Sequence, residues 1–387
     1  MLAIDSFLGI DAATLETSGA LHTAREIQQQ PDMLQATHAL IASLRAALDL
    51  FTQPLAHNPN TRIILTGAGT SAYIGQILAP LLDAQLPARV DAIATTDLVS
   101  APKLHLQPTQ PLLLVSFGRS GNSPESVAAV ELAETLVQDV RHLFITCNPN
   151  GKLGKLEVRQ AFSVHLPEAT HDASFAMTSS FSCMLYAALA ALTPSNISEA
   201  RCNALSAATT QAIRQFPQPL HALAERGFDR CVYLGSGVLQ GLAREAALKL
   251  GELSNGAIAT TYDSPLGFRH GPKTFVTANT LVCVFVSNDA YTQQYDRDLI
   301  DELRRDGEAG AVIEITAQPR AEYADSSIAV AEMAQADDID LVWPYIAVAQ
   351  MYAFFASRTL DRSPDNPNPQ GTVNRVVQGV RLYPLDA

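Results

Sequence analysis

The sequence predicts an α/β fold: a parallel sheet covered by helices on both faces, built twice in tandem. Three observations predict it. Apolar runs bounded by turn residues alternate with helix-like segments, the pattern of parallel α/β sheets. The alternation starts again past mid-chain, where CVYLGSGVLQG (231–241) resembles RIILTGAGTSA (62–72) and LVCVFVSNDAYTQQYD (281–296) resembles PLLLVSFGRSGNSPES (111–126). Gly67 and Gly235 lie 168 residues apart, Ser116 and Ser287 171, so two independent landmarks share nearly one spacing.

Residues 1–57 read as helical, with Leu34, Leu40, Leu44, Leu48 and Phe51 at helical spacing. RIILTG (62–67) reads as a buried strand, followed by a glycine-rich turn and the helix-like SAYIGQILAPLL. Further strands are expected at 88–95, 111–118 and 142–148. The helix SPESVAAVELAETLV opens on Ser, Pro and Glu, a helix N-terminal signature. A seam is expected where proline and polar residues cluster, at TPSNIS (193–198) and FPQPL (216–220). After DRSPDNPNPQG (361–371) the tail VNRVVQGVRLYP reads as extended. The expected parts are a helical segment (1–50), a first domain (51–212), a second (213–360) and a tail (361–387).

Composition narrows the function. The 387 residues are 47% hydrophobic and only 17% charged, against about 25% in an average globular protein, which excludes a disordered or fibrous chain. A net charge of −13 has the wrong sign for nucleic acid or anionic lipid as partner. A single phosphate remains possible, because a few local donors can hold it. The five cysteines are an odd count without a close pair and read as reduced thiols. The N-terminus has no basic n-region, and no apolar run approaches the ~18–20 residues of a membrane span, so a soluble cytoplasmic protein is expected. The histidines show no H-x-x-H or HExxH spacing and the cysteines do not cluster. No metal or cofactor is expected.

Four segments carry chemistry. TGAGTSA (66–72) lets backbone N–H groups approach an anion at a helix N-terminus. Alone it is a weak signal, a tight strand–helix turn that also fits a loose dinucleotide fingerprint, and it is not a P-loop. SFGRSGNSPES (116–126) packs hydroxyls, two glycines and another helix start into eleven residues, an anion nest that a dinucleotide fold does not need. Together the two loops favour a compact phosphate monoester. The second copy has lost most of this hydroxyl array, so one copy reads as the binder and the other as its partner. The third segment, GLAREAALKLGELSNG (241–256), sets Glu245, Lys249 and Glu252 on one helix face, either as an exposed ion pair or as an acid/base group. The fourth, TYDSPLGFRHGPKTF (261–275), carries His270 on a loop eighteen residues after Glu252, an acid/base couple by residue type. His171–Asp172 form a second candidate site edge beside Phe175, Met177 and Phe181.

TGAGTS, SFGRSGNS, ALKLGELS and FRHGP, in this order, closely resemble the double sugar-isomerase-domain (SIS) family, which includes the isomerase half of glucosamine-6-phosphate synthase. YDSPLGFRHGPK with GTVNRVVQGV resembles its AgaS-type branch of galactosamine-6-phosphate deaminase/isomerases, also labelled tagatose-6-phosphate ketose/aldose isomerases. The resemblance implies two tandem SIS domains, each with a flavodoxin-like sheet, and a C-terminal tail closing on the site. It implies that Thr70, Ser71, Gly118, Arg119, Ser120, Ser123, Thr178 and Arg375 contact a phosphorylated amino sugar. Glu252 would be the base at C1/C2, His270 would assist ring opening, and Lys249 would line the site. Family members often take this histidine from a neighbouring subunit, which implies a homodimer or higher homo-oligomer. Three positions depart from the synthase: its Ser-Gln-Ser is Gly118–Arg119–Ser120, its glutamate three residues before the histidine is Gly267, and its C-terminal lysine falls against Asn374 or Arg375.

About sixty residues precede the first loop, too few for a glutaminase domain, so ammonia release is the expected direction. A deaminating isomerase making tagatose 6-phosphate is therefore expected. A plain aldose–ketose isomerase and a non-catalytic sugar-phosphate-binding regulator remain the alternatives.

Overall fold

In the computed structural model, which describes residues 6–194 and 197–385, the six strands read from the sequence and four others assemble into two five-stranded parallel sheets. The first contains β1 (Arg62–Thr66), β2 (Arg89–Ala92), β3 (Leu112–Gly118), β4 (Val140–Thr146) and β5 (Ala161–His165), in the order β2-β1-β3-β4-β5. The second contains β6 (Arg230–Gly235), β7 (Ala259–Asp263), β8 (Thr280–Phe285), β9 (Ala311–Thr316) and β10 (Ser327–Ala329), in the order β7-β6-β8-β9-β10. Both are the flavodoxin-like topology, in which the direction of winding reverses beside the first strand. β1 and β3 are buried along their whole length, as sheets covered on both faces require. The edge strands β5 and β10 had no signal in the apolar pattern. One is half-exposed and the other is three residues long.

Strand register corrects the repeat spacing. Leu65 stands opposite Val115 in the first sheet and Tyr233 opposite Cys283 in the second, so one offset of 168 relates both pairs. The helices that follow, α2 (Pro124–Leu136) in the first copy and α5 (Thr292–Asp306) in the second, start at the same offset. Ser287 therefore corresponds to Arg119, not to Ser116. The 171-residue spacing pairs two serines by residue type alone, whereas hydrogen-bonded pairing fixes register to the residue.

The chain divides into two compact units that interleave in sequence. The unit of the first sheet comprises Asp32–Asp172, Ser179–Cys202 and the chain from Gln370 onward. The unit of the second comprises the chain up to Pro31, Ala173–Thr178 and Asn203–Pro369. Carboxylates tie the separate stretches of the latter together. Asp365 accepts hydrogen bonds from the Thr23 N–H and hydroxyl, each at 2.7 Å, and Glu26 accepts from the Ala173 N–H at 2.5 Å.

In the first unit, α1 (Thr70–Gln85) packs with α3 (Ser179–Leu192) on one face of the sheet, and α2 covers the other. In the second, α4 (Val238–Leu253) packs against α6 (Asp338–Thr359), while α5 and the 264–276 crossover cover the opposite face. Right-handed crossovers running in opposite directions from the first strand produce this two-sided cover. The sequence showed no uninterrupted membrane-length run, yet α6 is long and apolar enough in composition to cross a membrane. It is wholly buried in its unit, as a core helix. FPQPL, expected in a polar seam, instead opens the helix Pro217–Ala224, with Pro217 in its first turn where a missing N–H costs nothing. Ser195 and Asn196, in the other part of that seam, lie outside the described residues.

Candidate functional site

The carboxyl ends of β1 and β3 meet at the winding reversal of the first sheet, the place where open α/β sheets hold ligands. The turn after β1 needs both its glycines. A Cβ on Gly67 would lie 2.7 Å from the Ser71 backbone, and Gly69 adopts φ +57° at the start of α1. This places Thr70 and Ser71 in the first turn of α1, both buried, where helix N–H groups and the helix dipole favour an anion.

The loop after β3 is held from beneath. Asn148 Nδ2 donates to the Ser120 carbonyl at 2.9 Å, the Leu153 N–H donates to Gly121 O at 2.8 Å, and Gly121 takes φ +62°. Ser123 occupies the cap position of α2 without capping it; its hydroxyl donates to Glu125 Oε2 at 2.8 Å. Ser120 and Ser123 are both half-buried at the rim. Thr66 and Ser116, opposite each other on β1 and β3, and Thr95 beyond β2 add buried hydroxyls without hydrogen-bond partners among the described residues. Thr95 was missed in the sequence, because its strand is short and its loop carries no glycine signature.

Two guanidinium groups border the nest. Buried Arg119 donates to the Arg375 carbonyl at 3.0 Å, and the Arg375 guanidinium donates to the Asp172 carbonyl. The tail is thereby tied to the loop through Arg375, whereas Asn374 turns back to Gly371 O at 3.0 Å. Asp172 itself caps α3, accepting from the Ser180 N–H at 2.9 Å and from the hydroxyls of Ser179 and Ser180. Burial, then the charges of Arg375 and Arg119, hold the His171 imidazole below its ordinary pKa.

The same crevice in the second sheet is filled. Gly237 repeats the φ of Gly69 at +57°, but Asp296 of α5 reaches into the turn. Asp296 accepts from the Ser236 hydroxyl at 2.6 Å and the Ser287 N–H at 2.9 Å. Asp338, at the start of α6, accepts from the Ser287 hydroxyl at 2.6 Å and the Asn288 N–H at 2.7 Å. Two carboxylates of the chain thus take the donors at the ends of β6 and β8.

The second unit presents a different cluster on α4. Lys249 is sealed at 1% exposure between Glu245 (0%) and Glu252 (26%), with Nζ 3.6 Å from Glu245 Oε1 and in direct contact with Glu252 Oε2. The trio is therefore no exposed ion pair. A buried ammonium shared by two carboxylates stabilises little on balance, which points away from a purely structural role. The helix ends one residue later, and Asn255 (φ +51°) and Gly256 (φ +74°) turn the chain away, leaving Glu252 as the accessible member. His270 lies exposed in the crossover, with its N–H on Gly267 O at 2.9 Å. The sequence placed it across one turn from Glu252. In the structure β7 intervenes, and their elements cover opposite faces of the sheet. Thr178 is buried in this unit, on the short stretch Ala173–Thr178. A Cβ on Gly267 would meet Asp263 Oδ1 at 2.5 Å, so a glutamate there would require the Asp263 side chain to move.

Two stretches, 57–194 and 226–357, match the family model described as SIS domain. The chain belongs to the SIS domain family. Among its SIS relatives, D-galactosamine-6-phosphate deaminase AgaS of Shewanella sp. (strain ANA-3) is 44% identical over 389 residues, covering 98% of this chain and 96% of the relative. D-galactosamine-6-phosphate deaminase AgaS of Escherichia coli is 46% identical over 375 residues, covering 94% and 96%. The SIS protein whose crystal structure is described as tagatose-6-phosphate ketose/aldose isomerase from Escherichia coli superposes with a TM-score of 0.89 at 42% identity, covering 99% of this chain and 100% of that one.

Proposed function

We propose that this chain is a galactosamine-6-phosphate deaminase, converting the amino sugar to tagatose 6-phosphate and ammonia. The observation that carries the reading is near-full-length likeness, at 44–46% identity, to relatives bearing that name. In this reading Ser71, Ser120, Ser123, Thr70 and the backbone at Gly118–Arg119 hold the phosphate, and Arg375 and Thr178 complete the substrate contacts.

His270 moves a proton to open the pyranose, giving a C1 aldehyde that acidifies the C2 proton. Glu252, oriented by the buried Lys249, takes that proton and returns it to C1 through an enolamine. The product is an imine at C2. Water adds to it and ammonia leaves, so one sugar and one water give one ketose phosphate and one ammonia. Without a C2 amine the same shuttle stops at aldose–ketose isomerisation.

The sheet between α4 and the crossover supports a second element of the reading, that His270 serves the Glu252 of a neighbouring subunit in a homo-oligomer. The five buried, unpaired cysteines support a reducing, cytoplasmic setting. The test is incubation with galactosamine 6-phosphate, assaying ammonia and ketose separately. Equal amounts are expected. Ketose formed from aldose phosphate, with no ammonia from the amino sugar, would replace the deaminase with a plain isomerase.

A further inference from the structure

The turn bearing His270 is held on both sides by one carboxylate that no sequence motif marks. Phe268, two residues before the histidine, is fully buried against Leu299, Ile300 and Leu303 of α5. Arg269 Nε donates to Glu302 Oε2 at 2.9 Å, and Lys273 Nζ donates to Glu302 Oε1. Asp298 and Asp306, one turn before and after Glu302 on α5, add a second partner to each cation: Arg269 reaches Asp298 at 3.0 Å, and Lys273 reaches Asp306. Between the two clamped cations stand His270, which is exposed, and Gly271, whose φ of +122° makes the sharp bend.

Partly exposed ion pairs of this kind contribute little stability. Their geometry does more than their energy. The backbone on both sides of an exposed imidazole is pinned to a helix, while the ring itself is left outward. A turn built only for stability has no use for that combination; a group that must meet a reacting atom at hydrogen-bond distance does.

We propose that Glu302 is a positioning residue, whose carboxylate bridges Arg269 and Lys273 to hold the turn that presents His270 to the sugar ring. The proposal rests on the reading of His270 as the ring-opening group. The Lys273 ammonium, and then Arg269, hold the Glu302 carboxyl below the usual range, which favours the charged form of the clasp.

The test is a double-mutant cycle on the full chain with cyclic galactosamine 6-phosphate. Glu302→Gln keeps the shape and removes the charge. It should lower kcat by about tenfold with KM within about twofold, because positioning is felt mainly in the transition state. In a His270→Ala background the same change should cost nothing further, since there is no imidazole left to position. Lys273→Met, which removes one arm of the clasp, should give a smaller loss of the same kind and serves if Glu302→Gln does not fold. Full activity in Glu302→Gln, or an equal loss with and without His270, would overturn the clasp while leaving the histidine's role intact. Undiminished activity of His270→Ala would instead remove the role on which the clasp depends.

Discussion

Asp296 in the second copy stands where Ala128 stands in the first, 168 residues earlier at the same turn of the same helix. The exchange of a methyl for a carboxylate closes one crevice and leaves the other open. Burial pushes the Asp296 carboxyl up to about 6, with neighbouring Asp338 adding to the rise, while the Ser236 hydroxyl, the Ser287 N–H and Arg297 oppose it. Since the folded pKa is raised, stability from this group is present at low pH and is lost as pH rises toward 6.

Asp296→Asn can keep both hydrogen bonds by presenting its carbonyl to the Ser287 N–H and its amide to the Ser236 hydroxyl. The variant should gain on the wild type, by on the order of 1–3 kcal/mol, between pH 4 and pH 7. Urea unfolding at both pH values measures it. A difference between the two proteins that does not change with pH would show that Asp296 ionises without cost.

Gly67→Ala and Gly235→Ala form a matched pair. Each added Cβ meets the backbone of the residue four positions on, Ser71 or Leu239, within 2.8 Å. Both should destabilise, as overpacking against backbone does by about 1–3 kcal/mol. Only Gly67→Ala should raise KM for the sugar phosphate. A comparable KM rise in Gly235→Ala would mean that the filled crevice also binds substrate.

Glu252→Gln retains the shape of the accessible carboxylate and removes its basicity. A fall in kcat of about 10²–10⁴-fold, with KM changed only a few-fold, is expected for loss of a general base. Retained turnover would reduce the α4 cluster to a buried ion pair.

Mixing Glu252→Gln with His270→Ala chains tests which subunit supplies the histidine. If His270 crosses to a neighbour, hybrids contain some sites with both wild-type groups, and activity returns on mixing after subunit exchange. If each chain completes its own site, mixtures stay as inactive as their parents.

The glycine- and hydroxyl-rich loops and the repeat were legible because short-range chemistry writes them. Glycines at Gly67 and Gly69, hydroxyls at Ser120 and Ser123 and apolar strands between them are local necessities. What could not be read depends on register and layer. Asp296 is one of two acids in QQYDRD, and only strand pairing sets it against Ala128. Glu252 and His270 looked adjacent because eighteen residues conceal a strand, and a crossover sends the chain to the other face. Glu302 is separated from the turn it clasps by 33 and 29 residues, a distance that no local pattern spans.

The interleaved second unit has a consequence for biosynthesis. Thr23 finds its carboxylate on Asp365, 342 residues later, and the helix Leu21–Gln28 packs on α6, among the last elements to be made. At roughly 5–20 residues per second, the N-terminal strap waits about 17–70 s for its acceptor. During that interval the buried faces of Ala24 and Ile27 lack α6, on which their helix packs. A ribosome-bound chain of this protein therefore carries an unfinished N-terminus through most of translation, exposed to holding chaperones until α6 and Asp365 arrive.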